Sequence, residues 1–431
     1  MCHRLRVYAA SVAPTMIAAR AIVARAVFNW AIFIQAIVMW LGAMAVIGGA
    51  SDGIADVPRL AINQSRGSTT HHLTALVSPP TPDDATTGDG PRETEPSNSP
   101  TPTLTIKKAN FPPIPESATS FGAAVARGSL FVYGGHLGDA HSYDNTSQGE
   151  TLWRLRLNDP PNDSDATWQR CLTGPPTQGL AMVATGGSLY RIGGFTARNP
   201  PDTEHDLWSG SEVNRIDVAA LDNAADPAKI QWMDAPSLPE GRSSFDAAVV
   251  NGEIYVVGGW TLAGSADTKW LETAYRFDPN TPDDGWRRIA DPPFRRRALS
   301  CATHDGRLYA IGGMLPGSDT DENDRGGPTT RVTVYDPRTD AWSEGPSLIG
   351  EPMAGFGSSA FATGGRLYVT AYDGSIQRLS RDGTKWETIA TMDNARFFHR
   401  MVPIGENRLI VVGGASMQSG KFDQIELIEL R

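Results

Sequence analysis

FGAAVARGSLFVYGG, from Phe121 to Gly135, and FDAAVVNGEIYVVGG, from Phe245 to Gly259, are two copies of one sequence pattern. Each copy has a strand of small or apolar residues, a turn, a second apolar strand and a pair of glycines. The pattern recurs from Leu180 to Gly194, from Ala298 to Gly313 and, with altered spacing, from Phe398 to Gly414. A recurring unit of this kind predicts a repeat architecture.

Each unit continues into two further predicted strands. The third strand often ends in a turn such as Asp278-Pro279, and the fourth lies around a tryptophan before proline-rich punctuation such as Pro292-Pro293. The tryptophans are Trp168, Trp232, Trp286, Trp342 and Trp386. Four short strands in about 50 residues are typical of one propeller blade.

The unit resembles the kelch repeat, and the resemblance covers essentially all of residues 103–431. Five of six copies keep the double glycine and five keep the tryptophan, while the copy that begins at Phe356 has Ala371-Tyr372 in place of the glycines. The resemblance implies an all-β fold, a single six-bladed propeller. Ligands of such propellers usually meet the mouth of the central channel.

The last copy ends at its third strand, Ile425 to Leu430, without a tryptophan. We expect Leu104 to Ala109 to supply the missing fourth strand, because Phe111 to Pro115 then matches the punctuation that follows the other fourth strands. Pairing the two ends of residues 103–431 closes the ring and protects the sheet edges.

The N-terminal region differs in composition from the repeats. Residues 26–50 carry no charge and are long enough to cross a bilayer, with four arginines before them and two aspartates just after. Residues 1–50 are therefore predicted to be a cleaved signal peptide or an uncleaved signal anchor, which makes the rest extracytoplasmic: periplasmic, at the cell surface or secreted. Residues 51–102, with eight Pro and fourteen Ser or Thr, are predicted to be a disordered linker.

Charge and cysteine content exclude some classes of function. The 431 residues carry a net charge of −10, which argues against nucleic-acid binding. Cys171 and Cys301 show no disulfide spacing, and we find no motif for a metal or another cofactor. A monomer with a protein or glycan ligand is the expectation.

Three arginines recur at one position of the repeat. Arg242 and Arg296 lie 16 residues before Gly258 and Gly312, and Arg396 lies 17 before Gly413. Neighbouring basic residues complete a candidate ligand-binding cluster: Arg295, Arg297, His399 and Arg400. Two interpretations stay open. Guanidinium groups bind carboxylates, so the cluster could bind an acidic sugar or peptide, or these arginines could belong to the repeat's own structure.

Two loops and a short turn also stand out. The residues from Asp319 to Gly326 alternate oxygen ligands but lack the glycine and glutamate of an EF-hand, which indicates a solvated acidic loop. Exposed aromatic residues could form a sugar platform or anchor their loops: His205, Trp208, Trp260 and Trp270. Only the turn from Tyr372 to Gly374 follows the second strand of the degenerate copy. We therefore expect the wall of loops around the channel mouth to be lower in this sector than in the others.

Two enzyme families share the propeller architecture. Galactose-oxidase-like enzymes need a copper site, but Cys301 and His304 should point to opposite faces of a strand. Six-bladed sialic-acid epimerases use a glutamate and an arginine, a pair that we cannot map here. We therefore predict an exported binding module for a protein or glycan, with a sugar epimerase or mutarotase as the alternative.

Overall fold

A computed structural model of the protein describes the backbone of residues 104–108 and residues 111–157, 166–264, 268–317 and 326–430. The predicted leader, the predicted linker and nearly all of the acidic loop from Asp319 lie outside the described residues. Within the described part, no helix is long and apolar enough to cross a membrane.

The described chain folds into six four-stranded antiparallel sheets, which we call blades 1 to 6. The first strands are Gly122–Ala126, Ala181–Thr185, Asp246–Val250, Ser300–His304, Ser359–Thr363 and Arg400–Pro403. The second strands are Ser129–Tyr133, Ser188–Ile192, Glu253–Val257, Arg307–Ile311, Arg366–Thr370 and Arg408–Val412. The third strands are Thr151–Arg156, Val213–Asp217, Ala274–Phe277, Val332–Asp336, Ser375–Leu379 and Glu426–Leu430. The fourth strands are Gln169–Thr173, Met233–Ala235, Arg287–Arg288, Ala341–Gly345, Trp386–Thr391 and Leu104–Lys108. The prediction of an all-β, six-bladed propeller is confirmed.

Blade 6 combines the two ends of the propeller sequence. Leu104–Lys108 pairs antiparallel with Glu426–Leu430, so that Leu104 lies opposite Leu430 and Lys108 opposite Glu426. This strand gives the last blade a fourth strand, as in the other five.

We call the end of the propeller where first strands begin and second strands end the loop face. Four small hairpins rise there between second and third strands: Phe195–Ala197 with Leu207–Ser209, Trp260–Thr261 with Lys269–Trp270, Met314–Leu315 with Gly327–Pro328, and Ala415–Ser416 with Gly420–Lys421. Blade 5 has only the turn from Ala371 to Gly374. Within the part of the chain that the structure describes, the remaining elements are one short helix, Val218–Asn223, and three 3-10 turns, Pro227–Lys229, Pro282–Asp284 and Pro352–Gly355.

In blades 1, 3, 4 and 5 the tryptophan donates a hydrogen bond to a carbonyl at the end of the preceding blade, whereas the indole N–H of Trp232 in blade 2 has no partner among the described residues. Trp286 donates its indole N–H to the carbonyl of Pro236 at 2.7 Å, Trp342 to that of Ala290 at 2.7 Å, and Trp386 to that of Pro346 at 2.8 Å. The apolar core lies between neighbouring blades, since its clusters combine residues of two successive sheets.

The double glycines permit close contact with the next blade. Gly312 has φ +64°, and a Cβ there would lie 2.3 Å from the carbonyl oxygen of Gly355. Gly313 donates its N–H to the same carbonyl at 2.8 Å. Five blades make this bond, with N···O distances of 2.7–3.0 Å, which explains why the pair recurs in the sequence.

Candidate functional site

A ring of backbone hydrogen bonds frames the mouth of the channel. One residue per blade, just before the first strand, has φ between 52° and 64° and donates its N–H to the equivalent carbonyl of the preceding blade at 2.7–3.3 Å. The ring residues are Ser120, Gly179, Ser244, Ala298, Gly357 and Phe398. Four of them are not glycine, and each such residue costs about 1 kcal/mol or more of backbone strain. The closed ring holds these conformations and fixes the side chains beside it.

A cavity of about 380 Å³ opens above this ring, and we call it the mouth cavity. Its wall includes Gln178, Trp260, Arg297, His399 and Arg400. Among the described residues that line it, none is Asp or Glu. The charge of the cavity therefore depends on its two arginines.

Arg297 is a half-buried cation without a counter-ion in the described chain. Its guanidinium carbon lies 4.1 Å from the ring centre of Trp260 and 5.5 Å from that of Trp270, and its Nε has no hydrogen-bond partner among the described residues. Burial lowers the pKa of Arg297, and Tyr143 partly opposes this effect. The aromatic rings stabilise the positive charge of Arg297 but do not accept hydrogen bonds in the plane of its guanidinium group.

Other polar groups of the mouth cavity also lack partners. Gln178 is 1% exposed and its Nε2 makes no hydrogen bond to a described residue, and neither does the indole N–H of Trp260. Burial raises the pKa of the Tyr143 hydroxyl, which also lines the cavity. Because buried donors without partners are costly, this concentration marks a place where a ligand can bind.

Arg400 forms the floor of the cavity. From blade 6 it donates Nη1 to Asp246 of blade 3 at 2.8 Å, Nε to the carbonyl of Phe121 at 3.0 Å and Nη2 to that of Leu180 at 3.2 Å. The other oxygen of Asp246 accepts the N–H of Cys301 at 2.8 Å. The ion pair spans the channel, neutralises Arg400 and separates the mouth cavity from a lower cavity of about 210 Å³ between the first strands.

The three arginines in equivalent positions lie elsewhere. Arg242, Arg296 and Arg396 are at most 1% exposed, and each donates Nη1 to the carbonyl of its own blade's first glycine at 2.8–3.1 Å. None of them lines the mouth cavity. Burial lowers the pKa of Arg242 and of Arg296 to about 10. These side chains join strands of one blade, as the structural interpretation of the repeat describes.

The rest of the predicted cluster divides between two environments. Arg297, His399 and Arg400 line the mouth cavity, whereas Arg295 is exposed outside its lining. His399 is 2% exposed and its Nε2 lies 2.6 Å from the hydroxyl of Thr370. Burial, aided by Arg396 and Arg400, lowers the pKa of His399 to about 3, so the imidazole adds no charge at neutral pH.

The aromatic candidates are also split. His205 and Trp260 line the mouth cavity, and the His205 ring lies 5.7 Å from that of Tyr143. Trp208 is outside the lining, under the guanidinium of Arg198 at 4.7 Å, while Trp270 packs on Trp260 at 5.6 Å.

Sequence reasoning missed Gln178 and Tyr143. Gln178 occupies the position of blade 2 that Arg297 occupies in blade 4, directly before the ring residue, so aligning the blades on the ring would have found it. Tyr143 lies in an irregular loop between the second and third strands of blade 1, outside the repeated strands. Within the described residues, no group of three His, Cys, Asp or Glu side chains is arranged to hold a metal ion.

Known proteins resemble this fold and its repeats. The Kelch motif family matches residues 241–293 and 295–349. The chain is 25% identical to Kelch-like protein 36 of Bos taurus over 232 residues, which is 52% of this chain and 35% of that protein. It is 23% identical to Kelch-like protein 23 of Homo sapiens over 300 residues, which is 66% of this chain and 43% of that protein. The matches thus span less than half the length of these relatives.

A solved structure of YjhT has the same fold. It superposes with a TM-score of 0.56 at 15% identity, covering 75% of this chain and 97% of that one. Blade count, double glycines and sequence relatives agree. The chain is a kelch-repeat β-propeller protein.

Proposed function

We propose that the loop face binds a partner protein and that Arg297 receives an acidic side chain of that partner in the mouth cavity. The observation that carries this proposal is a half-buried guanidinium with no counter-ion among the described residues and a buried, unpartnered Nε, in the same cavity wall as the unpartnered Nε2 of Gln178. A carboxylate would accept charge-assisted hydrogen bonds from the guanidinium. The kelch-like relatives support a protein as the partner.

A sugar epimerase or mutarotase would need an acid–base pair within reach of one substrate pose. No described carboxylate lines the mouth cavity, so none is there to work with Arg297. The likeness to YjhT concerns the fold, and a fold does not determine activity. Binding is therefore the function that the cavity supports.

Replacing Arg297 with glutamine should weaken ligand binding by about tenfold to a hundredfold, because hydrogen bonds to charged groups contribute about 1.5–3 kcal/mol. Random dodecapeptides displayed on phage would be selected on the full chain, and the dissociation constants of the selected peptides measured by fluorescence anisotropy. We expect the selected peptides to contain Asp or Glu.

Arg295→Gln is the matched control, since it removes the same charge from the neighbouring exposed position outside the cavity. Equal affinity of wild type and Arg297→Gln for acidic peptides would contradict the proposal. If acidic monosaccharides bind through Arg297 and do not compete with any selected peptide, the mouth cavity is a site for a glycan ligand.

We also propose that residues 1–50 direct the propeller out of the cytoplasm, on the strength of the uncharged run at 26–50 and the arginines before it. In a bacterial expression host, the full chain should be degraded by protease added outside the inner membrane, whereas a chain lacking residues 1–50 should be protected. Protection of both chains would contradict export.

A further inference from the structure

A second depression lies on the loop face at blade 5, where the connecting turn is short. Met417 lines this depression and is 78% exposed, and Ile349 and Met353, in the segment that leads into the first strand of blade 5, are 46% and 42% exposed. Exposed apolar side chains that gather in one sector indicate an interaction surface. The missing hairpin of blade 5 leaves this sector uncovered.

The depression is a groove of about 300 Å³ between blades 5 and 6. Tyr372 and Phe397 stack at its base with ring centres 5.4 Å apart and planes 19° apart, and Met417 and Phe422 form its other side. We call this the blade 5/6 groove. Its rings and its exposed methionine can enclose an apolar side chain of a partner.

One aromatic cluster joins the groove to the mouth cavity. Phe398 and Phe356 line the mouth cavity, and Phe397 and Tyr372 line the groove. Phe397 lies 5.3 Å from Phe398 and 6.0 Å from Phe356 between ring centres. A ligand that leaves the mouth cavity through the low sector therefore passes directly over the groove.

The two depressions have opposite charge. The mouth cavity presents Arg297, a cation without a counter-ion among the described residues, whereas Asp393 is the charged residue among the described residues that line the groove. Asp393 is exposed, and Asp373 is exposed at the neighbouring turn. A ligand that fits both must carry an anion at one end and a cation at the other.

We propose that the partner binds as an extended polypeptide segment, with an acidic residue in the mouth cavity, an apolar side chain on the Tyr372–Phe397 stack and a lysine or arginine beside Asp393. The acidic end rests on the proposed function. The groove end rests on its own apolar side chains and on Asp393.

The test uses the full chain and the peptides selected on it, with three variants. Met417→Glu should weaken binding by about tenfold, the scale expected when one apolar side chain loses its contact. Asp393→Lys should weaken the binding of peptides that contain a basic residue. It should restore the affinity of analogues in which that residue is glutamate. Met233→Glu is the matched control, because Met233 is 42% exposed on the outer strand of blade 2.

Wild-type affinity in both groove variants, or selection of no peptide at all, would overturn the proposal. Melting temperatures equal to that of the wild type would show that each variant is folded. The affinity of Arg297→Gln for the same peptides tests the acidic end of the proposed ligand separately from the end that binds in the groove. If the groove variants weaken binding and Arg297→Gln does not, the proposed acidic contact is wrong and the groove contact is supported. If Arg297→Gln weakens binding and the groove variants do not, only the groove contact is wrong.

Discussion

Replacing Arg400 with methionine is expected to lower the free energy of unfolding by about 3 kcal/mol or more, because breaking a buried ion pair leaves an uncompensated charge. Arg400 is 21% exposed and its partner Asp246 is 7% exposed. The same guanidinium also donates to carbonyls of Phe121 and Leu180, so the substitution removes contacts with three other blades. Guanidinium-induced unfolding, followed by tryptophan fluorescence, measures the effect.

The double variant Arg400→Met, Asp246→Asn is the control for this prediction. Asparagine keeps an oxygen for the N–H of Cys301 and removes the buried charge. We expect the double variant to be more stable than Arg400→Met alone. A loss below about 0.5 kcal/mol in Arg400→Met, within the range of ordinary surface substitutions, would show that the bridge does not hold the channel together.

Arg296→Met is expected to lower the free energy of unfolding by about 2–4 kcal/mol, since three donated hydrogen bonds disappear from a side chain that is 1% exposed. The acceptors are the carbonyls of Gly312 and Arg331 at 3.1 and 2.8 Å and the hydroxyl of Thr333 at 2.7 Å. Calorimetric melting gives the loss of stability. Peptide affinity of the folded fraction should stay at the wild-type value, because Arg296 does not line the mouth cavity.

Arg381→Met serves as the control, since this arginine is exposed and its loss should change stability little. A stable Arg296→Met protein with weakened peptide binding would reverse this account. It would assign the recurring arginines to the ligand and not to the blade.

The architecture of the propeller could be predicted from local repetition. The first glycine of each pair marks a position where a Cβ would meet the next blade, and four of the five tryptophans donate a bond to the blade before, so both features recur in most blades. Sequence periodicity records such requirements because they recur in most units.

The site could be predicted only in part, for a physical reason that Arg296 and Arg297 illustrate. Adjacent residues of an extended segment point in opposite directions, so one side chain enters the blade and the other reaches the mouth cavity. The recurrence of arginine at the position of Arg296 reflects the blade's own carbonyls, whereas Arg297 does not recur and was predicted only as a member of the neighbouring basic cluster. Ring residues such as Ala298 and Phe398 adopt positive φ without being glycine, so the ring left no pattern in the sequence.

The measurement that tests the central claim most directly is the affinity of one selected acidic peptide for wild type, Arg297→Gln and Arg296→Met under conditions where all three are folded. We predict that Arg297→Gln binds at least about tenfold more weakly than wild type and that Arg296→Met binds equally well. Unchanged affinity in Arg297→Gln, with binding lost in Arg296→Met, would contradict the assignment of the mouth cavity as the ligand site.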